Sequence, residues 1–517
     1  MLYNSGGQLV CVTDGPYLST LYSYNEMGER TLTCLDLNGN FSIDDFVDRV
    51  SCADSYYEKD GAGDWWRVLA TSVHDNTGLN TVFTNNIQKT RLTGLSTNLT
   101  SEVVAIGPLG TQSVSRTSVN RETKQSVSRT SFAGSVVEAV TETVNGLTTA
   151  TRSQAGVETT YGYDPLGRQV EVVDARTGPC RTHYNDKGQV DWTEDAASNR
   201  TAFAYAPATG RQVAVSNALG QVTRSEYDAE GRLLGTWGAT YPDFYAYDGQ
   251  GRMTDMFTLR GPDVEALVTN HASFLANIAS FDRTTWLYDE ATGLLTNKVY
   301  ADGRGTAYTY DWHGRISTRT WARGVVTTYS YDDMFGGGAL THIGYSDSTP
   351  GVSFAYDGLG RLTNAAVAGV LTCDYLYDPA SSVLTNEVVS LAALPAARSI
   401  ARFHDSLLRP TGFSLDNGQA TAYEYDGTGR LSAVAWSVGG SSSTARYAYV
   451  EHSGMVAGYD IERGGGTFRT RKTFEPFRDL IASVSNAFVS STGTLAVSSF
   501  DYLNDALGRP AGWIMLP

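Results

Sequence analysis

The sequence predicts an all-β protein in which tandem β-hairpins form one long, coiled antiparallel sheet. Three observations support this fold class. A short motif recurs along the chain, tyrosines alternate along the segment before each copy, and the composition suits strands separated by many turns. Among 517 residues, 53 are glycine and only 14 are proline. This balance is typical of an all-β repeat protein with frequent tight turns.

The recurrent motif is Tyr-Asp-x-x-Gly-Arg, which the chain contains six times. Its residues are Tyr163, Asp164, Gly167 and Arg168; Tyr227, Asp228, Gly231 and Arg232; Tyr247, Asp248, Gly251 and Arg252; Tyr310, Asp311, Gly314 and Arg315; Tyr356, Asp357, Gly360 and Arg361; and Tyr425, Asp426, Gly429 and Arg430. Looser copies begin at Tyr184, Tyr205, Tyr288, Tyr331 and Tyr377. Most steps between successive tyrosines are 20 to 25 residues, so each period predicts one structural unit.

Each unit predicts a strand, a tight turn, a second strand and a second turn. Tyr161 and Tyr163 are two residues apart, which places both rings on one face of a strand. The following Asp can accept a backbone hydrogen bond two residues on, and the Gly can adopt positive φ. A lone hairpin is marginal in water, so consecutive hairpins should pair edge to edge into one sheet. Such a sheet twists with a fixed hand and coils as it grows.

With these residues in place, the chain resembles the Rhs/YD-repeat family, whose relatives include bacterial toxin-complex shells and the teneurins. The resemblance rests on the motif copies, on the Tyr-x-Tyr-Asp segments that lead into them, and on the variant Thr292–Leu295. It covers roughly Arg152 to the C-terminus. It implies a hollow β-shell, which encloses a C-terminal toxic domain in many polymorphic toxins and serves as a cell-surface scaffold in other members.

The family's shells commonly end in a core segment with Asp-Pro-x-Gly signatures, after which a toxin domain follows. Neither is found here, so we expect a truncated member, or one piece of a larger or split protein. An open, partly wound shell is therefore the expected shape. The expected partners are a toxin domain or a further Rhs segment encoded separately, and a carbohydrate or cell-surface partner.

Three regions are expected along the chain: an N-terminal β-region of degenerate repeats over residues 1–70, a Thr/Ser-rich β-region over 71–151, and the repeat array over 152–517. In the middle region, residues 112–118 and 125–131 are near-duplicates, which suits either two-faced strands or a flexible edge. One insertion interrupts the repeats after Pro262. Its apolar residues recur at helical spacing, so we predict a helix near 263–279, either outside the shell or as a plug against its inner wall.

One segment has oxygen-bearing side chains at the spacing of a calcium loop. Asp36, Asn38, Asn40 and Asp44 occupy positions 1, 3, 5 and 9, although an EF-hand would place Gly and Glu where Phe41 and Val47 stand. The segment therefore predicts either a calcium site or an Asx-rich turn between strands.

The repeat residues themselves do not predict catalysis. A general acid and base need different environments, whereas repeated Asp and Arg residues occupy equivalent ones. We expect structural use, with Asp as turn acceptor and with Arg and Asp of neighbouring hairpins paired in ladders. The tyrosines suit either stacked structural ladders or exposed rows that bind a ligand. We therefore expect no enzyme activity, with an enzyme domain in 71–151 as a remote alternative.

Charge and hydropathy narrow the function further. The net charge of −16, with arginines spaced singly among acids, argues against nucleic acid as a partner. No run of 18 apolar residues predicts a membrane span, and no secretory signal is visible at the N-terminus. The family resemblance implies a secreted or cell-surface protein. The expected function is a non-enzymatic shell or scaffold; the alternative is an adhesion module that binds carbohydrate or a protein partner.

Overall fold

The computed structural model describes residues 1–14, 18–74, 82–96, 98–259, 268–332, 338–463 and 465–516. Within them the protein is all-β, as the sequence predicts, with one antiparallel sheet of 42 strands. The first strands are β1 (Leu2–Tyr3), β2 (Leu9–Asp14), β3 (Leu18–Tyr24), β4 (Arg30–Asp36), β5 (Arg49–Lys59), β6 (Trp65–His74), β7 (Val82–Arg91), β8 (Leu99–Ile106), β9 (Gln112–Asn120), β10 (Gln125–Ser131), β11 (Ala139–Val144) and β12 (Leu147–Arg152).

The strands of the middle part cover the best-preserved repeats. They are β13 (Glu158–Tyr163), β14 (Gln169–Asp174), β15 (Gly178–Tyr184), β16 (Val190–Glu194), β17 (Arg200–Tyr205), β18 (Gln212–Ser216), β19 (Val222–Tyr227), β20 (Leu233–Gly238), β21 (Asp243–Tyr247), β22 (Met253–Leu259), β23 (Phe281–Tyr288), β24 (Leu295–Val299), β25 (Gly305–Tyr310), β26 (Ile316–Thr320), β27 (Val326–Asp332) and β28 (Ala339–Tyr345).

The remaining strands continue the same pattern. They are β29 (Val352–Tyr356), β30 (Leu362–Val367), β31 (Leu371–Tyr377), β32 (Leu384–Leu391), β33 (Arg398–His404), β34 (Pro410–Leu415), β35 (Ala420–Tyr425), β36 (Leu431–Val438), β37 (Ser441–Tyr449), β38 (Val456–Arg463), β39 (Gly466–Phe474), β40 (Ile481–Ser490), β41 (Gly493–Asn504) and β42 (Pro510–Leu516).

Strand order in the sheet follows the chain. Each strand pairs antiparallel with its predecessor and its successor, from β1 with β2 to β41 with β42. Among the described residues, β1 and β42 are not paired with one another, so the sheet is open. The expected region boundaries at 70/71 and 151/152 both fall inside strands, within β6 and β12. The sheet therefore continues through both boundaries without a break.

The turns form two rims. Turns that follow odd-numbered strands, such as Asp164–Arg168 and Asp426–Arg430, lie along one edge, here called the motif rim. Turns that follow even-numbered strands, such as 132–138 and 175–177, lie along the other edge, here called the opposite rim. All six motif copies lie on the motif rim, because each sits between an odd-numbered strand and the next even one.

The wall is a single layer with two different faces. Tyr161 pairs with Val172 on one face, while Gly162 pairs with Glu171 on the other. The accessible surface is 28794 Å², whereas a compact protein of this mass would expose about 18,000 Å². The excess means that most of the sheet is not covered by a second layer.

The sheet winds past itself. Arg49 Nε donates a hydrogen bond to the Gly358 carbonyl oxygen at 2.9 Å, although the two residues are 309 positions apart. The Val136 N–H donates to the Gly427 carbonyl at 2.7 Å. The first contact joins the start of β5, next to the turn after β4, to the turn between β29 and β30. The second joins the turn between β10 and β11 to that between β35 and β36. Both contacts span 25 strands.

Two further contacts repeat this spacing. His452 Nδ1 lies 3.4 Å from the position that a Cβ on Gly156 would take, and Arg176 forms an ion pair with Asp479. Each contact joins the opposite rim of an early winding to the motif rim of a later one, and together they define the seam. Twenty-five strands at about 4.8 Å spacing give a circumference of about 120 Å and a backbone diameter of about 38 Å.

The predicted helical insertion is present. Among the described residues it consists of helix α1 (His271–Ala276) and a 3₁₀ turn (Ile278–Ser280). The predicted helix near 263–279 also included 268–270, which are not helical because the Asn270 backbone is extended, and 263–267 lie outside the described residues. Asn270 caps the helix, since its side chain accepts a hydrogen bond from the Ser273 N–H. Phe274 stacks on Phe244 with ring centroids 4.1 Å apart. The helix thus packs on the sheet face opposite the tyrosines.

The sheet is aromatic where the helix covers it. The buried cluster comprises Trp237, Phe244, Phe257, Leu259, Val268, Phe274 and Phe281. A second cluster near the N-terminus comprises Cys11, Leu21, Cys34 and Val50, with Ile43 of the loop between β4 and β5 packed against it. The helical insertion between β22 and β23 covers the first cluster, and the loop between β4 and β5 covers the second. Both are connections on the opposite rim, and both fold back over the same face of the sheet.

Candidate functional site

The motif carboxylate is used entirely by its own turn. Asp164 Oδ1 accepts hydrogen bonds from the N–H groups of Leu166 and Arg168, both at 2.9 Å. Asp164 Oδ2 accepts from Arg168 Nε at 2.7 Å. In all six copies the motif Arg donates twice to the motif Asp carboxylate, once from its backbone N–H and once from its Nε. The acceptors are Asp164, Asp228, Asp248, Asp311, Asp357 and Asp426.

Electrostatics favour the ionised form of Asp164, Asp228, Asp248, Asp311 and Asp426. Burial raises the pKa of Asp426, but hydrogen bonds from Thr428 and Arg430 outweigh burial and lower the pKa to about 2. Burial also raises the pKa of Asp164, Asp228, Asp248 and Asp311, but hydrogen bonds from the Arg of the same turn outweigh burial, so that the pKa of each is lowered. A carboxylate held in this way is a poor proton donor at neutral pH.

The motif glycine provides a left-handed backbone. Gly251 has φ +85°, and the other motif glycines range from +79° to +93°. A β-branched residue is strongly disfavoured in this region, because its Cβ and γ groups crowd the backbone. The turn therefore requires glycine for its backbone conformation, even where space is available for a side chain.

The motif tyrosine joins its hairpin to the preceding one. The Tyr163 hydroxyl donates to the Thr148 carbonyl oxygen at 2.7 Å, and the Tyr310 hydroxyl donates to the Leu295 carbonyl at 2.7 Å. Tyr247, Tyr356 and Tyr425 make the same bond to carbonyls 14 to 16 residues earlier. The ring thus crosses to the adjacent strand, which belongs to the preceding hairpin, and its hydroxyl ends on the main chain of that strand.

The motif arginine joins its hairpin to the following one. The Arg168 guanidinium lies 4.5 Å from the centroid of the Tyr184 ring. The other motif arginines lie over the next tyrosine in the same way, as Arg232 over Tyr247, Arg252 over Tyr288, Arg315 over Tyr331, Arg361 over Tyr377 and Arg430 over Tyr449. Guanidinium groups favour the face of an aromatic ring.

This arrangement corrects the expected Asp–Arg ladders. Arg pairs with the Asp of its own turn, because the two side chains are four residues apart across a tight turn. The link between hairpins instead alternates Arg and Tyr. The repeat spacing alone could have suggested this, since Arg168 and Tyr184 end up side by side once consecutive hairpins pair in register.

Of the predicted calcium residues, Asp36 ends strand β4, and Asn38, Asn40 and Asp44 lie in the loop between β4 and β5. Asp36 is fully buried and accepts from the N–H groups of Gly39 and Phe41, at 2.7 and 2.8 Å. Asp44 accepts from the side-chain amide of Asn38 at 2.8 Å and from that of Asn40, and these two bonds lower its pKa. Across the described ranges, no three His, Cys, Asp or Glu side chains form a group that could hold a metal. The calcium site stays a prediction.

One acidic residue of this loop escaped the sequence analysis. Asp48 is fully buried, and its carboxylate accepts from the N–H groups of Leu37 and Asp44, both at 2.9 Å. The Cys34 thiol also points at it, at 3.6 Å. Burial, followed by the charge of Asp48, raises the pKa of Cys34 to about 12. Asp48 thus closes the loop on its own backbone and keeps the neighbouring thiol protonated.

The seam residues also escaped the sequence analysis. Arg49, Val136, Arg176 and Asp479 lie outside every motif copy. No periodic signal marks them, because their pairing depends on how far the sheet curves over 25 strands. The nearest sequence signal is the Asp-x-x-Gly turn that supplies the acceptor at Gly358.

Comparisons with known proteins find one repeat family and several solved structures that are similar to this chain. Residues 144–179 and 207–243 match the family model described as RHS Repeat. The crystal structure of TcdB2-TccC3 without its hypervariable C-terminal region is similar at 13% identity and TM-score 0.58, over 96% of this chain and 30% of that chain. That of TcdB2-TccC3-TEV gives 11% identity and TM-score 0.41, over 94% and 32%.

A Tc holotoxin pore from Photorhabdus luminescens gives 12% identity and TM-score 0.32, over 94% of this chain and 33% of that chain. No curated protein matches the chain. At 13% identity the first likeness is one of fold, and this chain spans about a third of the length of these structures.

Proposed function

Because this chain is an Rhs-repeat protein, we propose that it serves as a wall that separates an interior from solvent, and that its role is containment. One observation carries the proposal. A single-layer sheet passes itself after 25 strands and is joined to itself along the seam by contacts such as Arg49 with Gly358 and Val136 with Gly427. A wall of this form encloses space, and its main-chain groups are satisfied by neighbouring strands.

The motif residues support containment rather than chemistry. The motif Asp and Arg side chains are paired with one another within their turns, and five of the six motif tyrosine hydroxyls donate to a neighbouring main chain, which supports structural use. The resemblance to toxin shells supports an enclosed toxin domain or a further Rhs segment as partner, and a location outside the cell. None of the described helices is long and apolar enough to cross a membrane.

The proposal can be tested by reagent access to the two faces of one strand. Cys180 is exposed on the tyrosine face of β15, because it pairs with Val172, and His183 lies on the opposite face, because it pairs with Trp192. Wild type presents the Cys180 thiol, and a Cys180→Ser, His183→Cys variant presents one on the other face. A small maleimide should label both thiols. A maleimide on a bulky polymer should label one face and be strongly slowed at the other.

Equal labelling of both faces by the bulky reagent would show that the wall encloses nothing. The adhesion alternative has its own measurement. Saturable binding on a glycan array would favour an adhesion module, whereas a containment wall should give no saturable signal.

A further inference from the structure

A thiol, an imidazole and a carboxylate meet where the loop between β4 and β5 folds over the sheet. Cys52 lies in β5, His74 ends β6, and Asp45 belongs to the loop. Cys52 Sγ and His74 Nε2 are 3.0 Å apart, and His74 Nδ1 lies 2.9 Å from Asp45 Oδ1. Three separate elements therefore bring the three groups together, and none of the three residues belongs to a copy of the repeat motif.

This order of groups is that of a nucleophile, its base and a residue that orients the base. With the ring proton on Nδ1, beside Asp45, the Nε2 atom of His74 is free to accept the proton of the Cys52 thiol. The contact at Nδ1 is close but is not aligned as a hydrogen bond, so Asp45 acts on the ring through its charge. That charge favours the imidazolium that forms when His74 takes up a proton.

The packing around this group holds the imidazole in place and leaves the thiol within reach of solvent. Phe46 stacks on His74 with ring centroids 5.4 Å apart, and the His74 side chain is 13% exposed. Cys52 is partly exposed at the border of the apolar cluster near the N-terminus. The Asp45 side chain is 59% exposed, so the group lies at the surface rather than within the cluster.

The neighbouring charges determine the resting form of Cys52. Burial raises the pKa of the Cys52 thiol, a hydrogen bond from Ser72 opposes burial, and the charges of Asp54 and Asp45 raise the pKa further. At neutral pH Cys52 is therefore a thiol. Because the thiolate is the nucleophile, the residue needs a base within reach in order to react, and His74 is that base.

The other cysteines differ from Cys52 in this respect. All five cysteines lie within the described ranges, and there Cys52 is the one whose thiol contacts an imidazole. The Cys34 thiol faces the Asp48 carboxylate, which opposes its ionisation. Cys180 is exposed, and no side chain in the same ranges forms a hydrogen bond with its thiol. Cys180 thus serves as a reference for a thiol without a base.

From this geometry, we propose that Cys52 is a site of covalent modification by low-molecular-weight disulfides, with His74 as its base and Asp45 as the residue that positions the base. Exchange with a disulfide needs a thiol, a base and access, and it needs no group that stabilises an oxyanion. The three residues therefore suffice for this reaction. The proposal goes beyond containment and does not depend on it.

The exchange step is balanced within the protein and the disulfide. His74 Nε2 takes the thiol proton while Cys52 Sγ attacks one sulfur of the disulfide. The new S–S bond joins Cys52 to that half, the original S–S bond breaks, and the other half leaves as a thiolate that regains the proton from His74. Cys52 is oxidised to a mixed disulfide, and the released half is reduced to a thiol. The site thereby attaches a small thiol to the wall.

Oxidised glutathione in calcium-free buffer is the probe, and peptide mass spectrometry after timed quenching locates each adduct. Cys52 should form an adduct in wild type. His74→Gln should slow that adduct at least about tenfold, since a positioned base typically contributes about a hundredfold or more. The rate at Cys180 should not change. Asp45→Asn should also slow the reaction at Cys52, and Asp45→Glu should keep most of the rate because it keeps the charge.

The direction of the change separates a base from a packing residue. If His74 only held the loop, its loss would expose Cys52 and speed up the adduct. His183→Gln is the matched control, because His183 also faces an aspartate, with Nδ1 3.2 Å from Asp191 Oδ2, but forms no hydrogen bond with a thiol in the described ranges. It should change neither rate.

Circular dichroism and melting of every variant establish folding. The proposal is overturned if wild-type Cys52 forms no adduct, or if His74→Gln leaves the rate at Cys52 unchanged or faster. It is also overturned if His74→Gln slows Cys180 to the same extent, or if Asp45→Asn leaves the rate at Cys52 as in wild type.

Discussion

Arg49 Nε and the Gly358 carbonyl oxygen are 2.9 Å apart across the seam, although 309 residues of chain separate them. Burial lowers the pKa of Arg49, and the charge of Asp357 partly opposes that effect. The guanidinium also lies 2.9–3.0 Å from the position that a Cβ on Gly360 would take. The arginine therefore fills the space beneath one motif turn and ties the first winding to the second.

We expect Arg49→Met to loosen the seam without disturbing the hairpins. The variant keeps most of the packing volume but removes a hydrogen bond from a charged group, which contributes about 1.5–3 kcal/mol when buried and less at this half-buried site. Hydrogen exchange at the Val136 amide, which also bonds across the seam, should speed up. Arg67→Met, which removes an exposed pair with Glu29, is the control. Unchanged exchange at Val136 would mean that the seam does not depend on Arg49.

We expect Gly251→Val to destabilise its hairpin by about 1–3 kcal/mol, the usual cost of forcing such a backbone conformation. The nearest atom to a Cβ at this position is Arg232 Nη1 at 3.9 Å, so the cost is conformational rather than steric. Gly249→Val is the control, because Gly249 has ordinary φ and open space around it. Chemical denaturation of both variants measures the difference. Equal midpoints would refute the turn assignment.

We expect Tyr310→Phe to cost about 0.5–1.5 kcal/mol, because the Leu295 carbonyl loses its hydroxyl donor while the ring and its packing remain. Tyr308→Phe, two residues earlier on the same face, should cost less. Denaturation midpoints give the comparison, and hydrogen exchange in β24 and β25 should change only in the first variant. A larger loss for Tyr308→Phe would contradict the role assigned to the motif hydroxyl.

The motif carboxylates should make stability sensitive to acid. The folded pKa of Asp426 is about 2, below its ordinary value of 3.8. The ionised Asp426 side chain therefore contributes its full share of the folding stability above about pH 4, and this contribution is lost as the pH falls toward 2. Asp426→Asn should be less stable than wild type at neutral pH, with a smaller further loss down to pH 2. Glu290→Gln, at an exposed turn position, is the control. Parallel pH profiles for wild type and Asp426→Asn would count against the linkage.

The calcium prediction has a direct measurement. If Asp36, Asn38, Asn40 and Asp44 hold calcium, added calcium should raise the melting temperature, and titration calorimetry should show one site. Asp44→Asn should abolish both effects, while magnesium should be a weaker substitute because it prefers a rigid octahedral set of ligands. Absence of heat and of any thermal shift would leave the loop as an Asx-rich turn held by its own amides.

The repeating part of the fold could be predicted from sequence because it is local. Alternating Tyr161 and Tyr163 identify a strand face, and Asp164 with Gly167 identifies the turn that follows. The open antiparallel sheet is confirmed, and so is a short helix in the insertion predicted near 263–279, although that helix begins only at His271. Such features depend on residues within about 20 positions of one another, where strand geometry and turn chemistry leave few alternatives.

The non-local contacts could not be predicted in the same way. Asp48 falls outside the calcium spacing, and only the folded loop shows that its carboxylate holds Leu37 and Asp44. The pairing of Arg49 with Gly358 depends on a small twist summed over 25 strands. A slight change in twist per strand would bring a different turn to Arg49. No local pattern in the sequence indicates the total twist over 25 strands.

The acceptors at the seam also bear on how such a gene can change over time. Gly358 and Gly427 accept through main-chain carbonyl groups, which every turn of the rim possesses whatever its side chains. Loss or duplication of one hairpin would shift the pairing of the two windings by one turn along the rim. The donor at the seam would then meet the main-chain carbonyl of the neighbouring turn in place of the original one. Hairpins can therefore be gained or lost during evolution while the two windings stay joined.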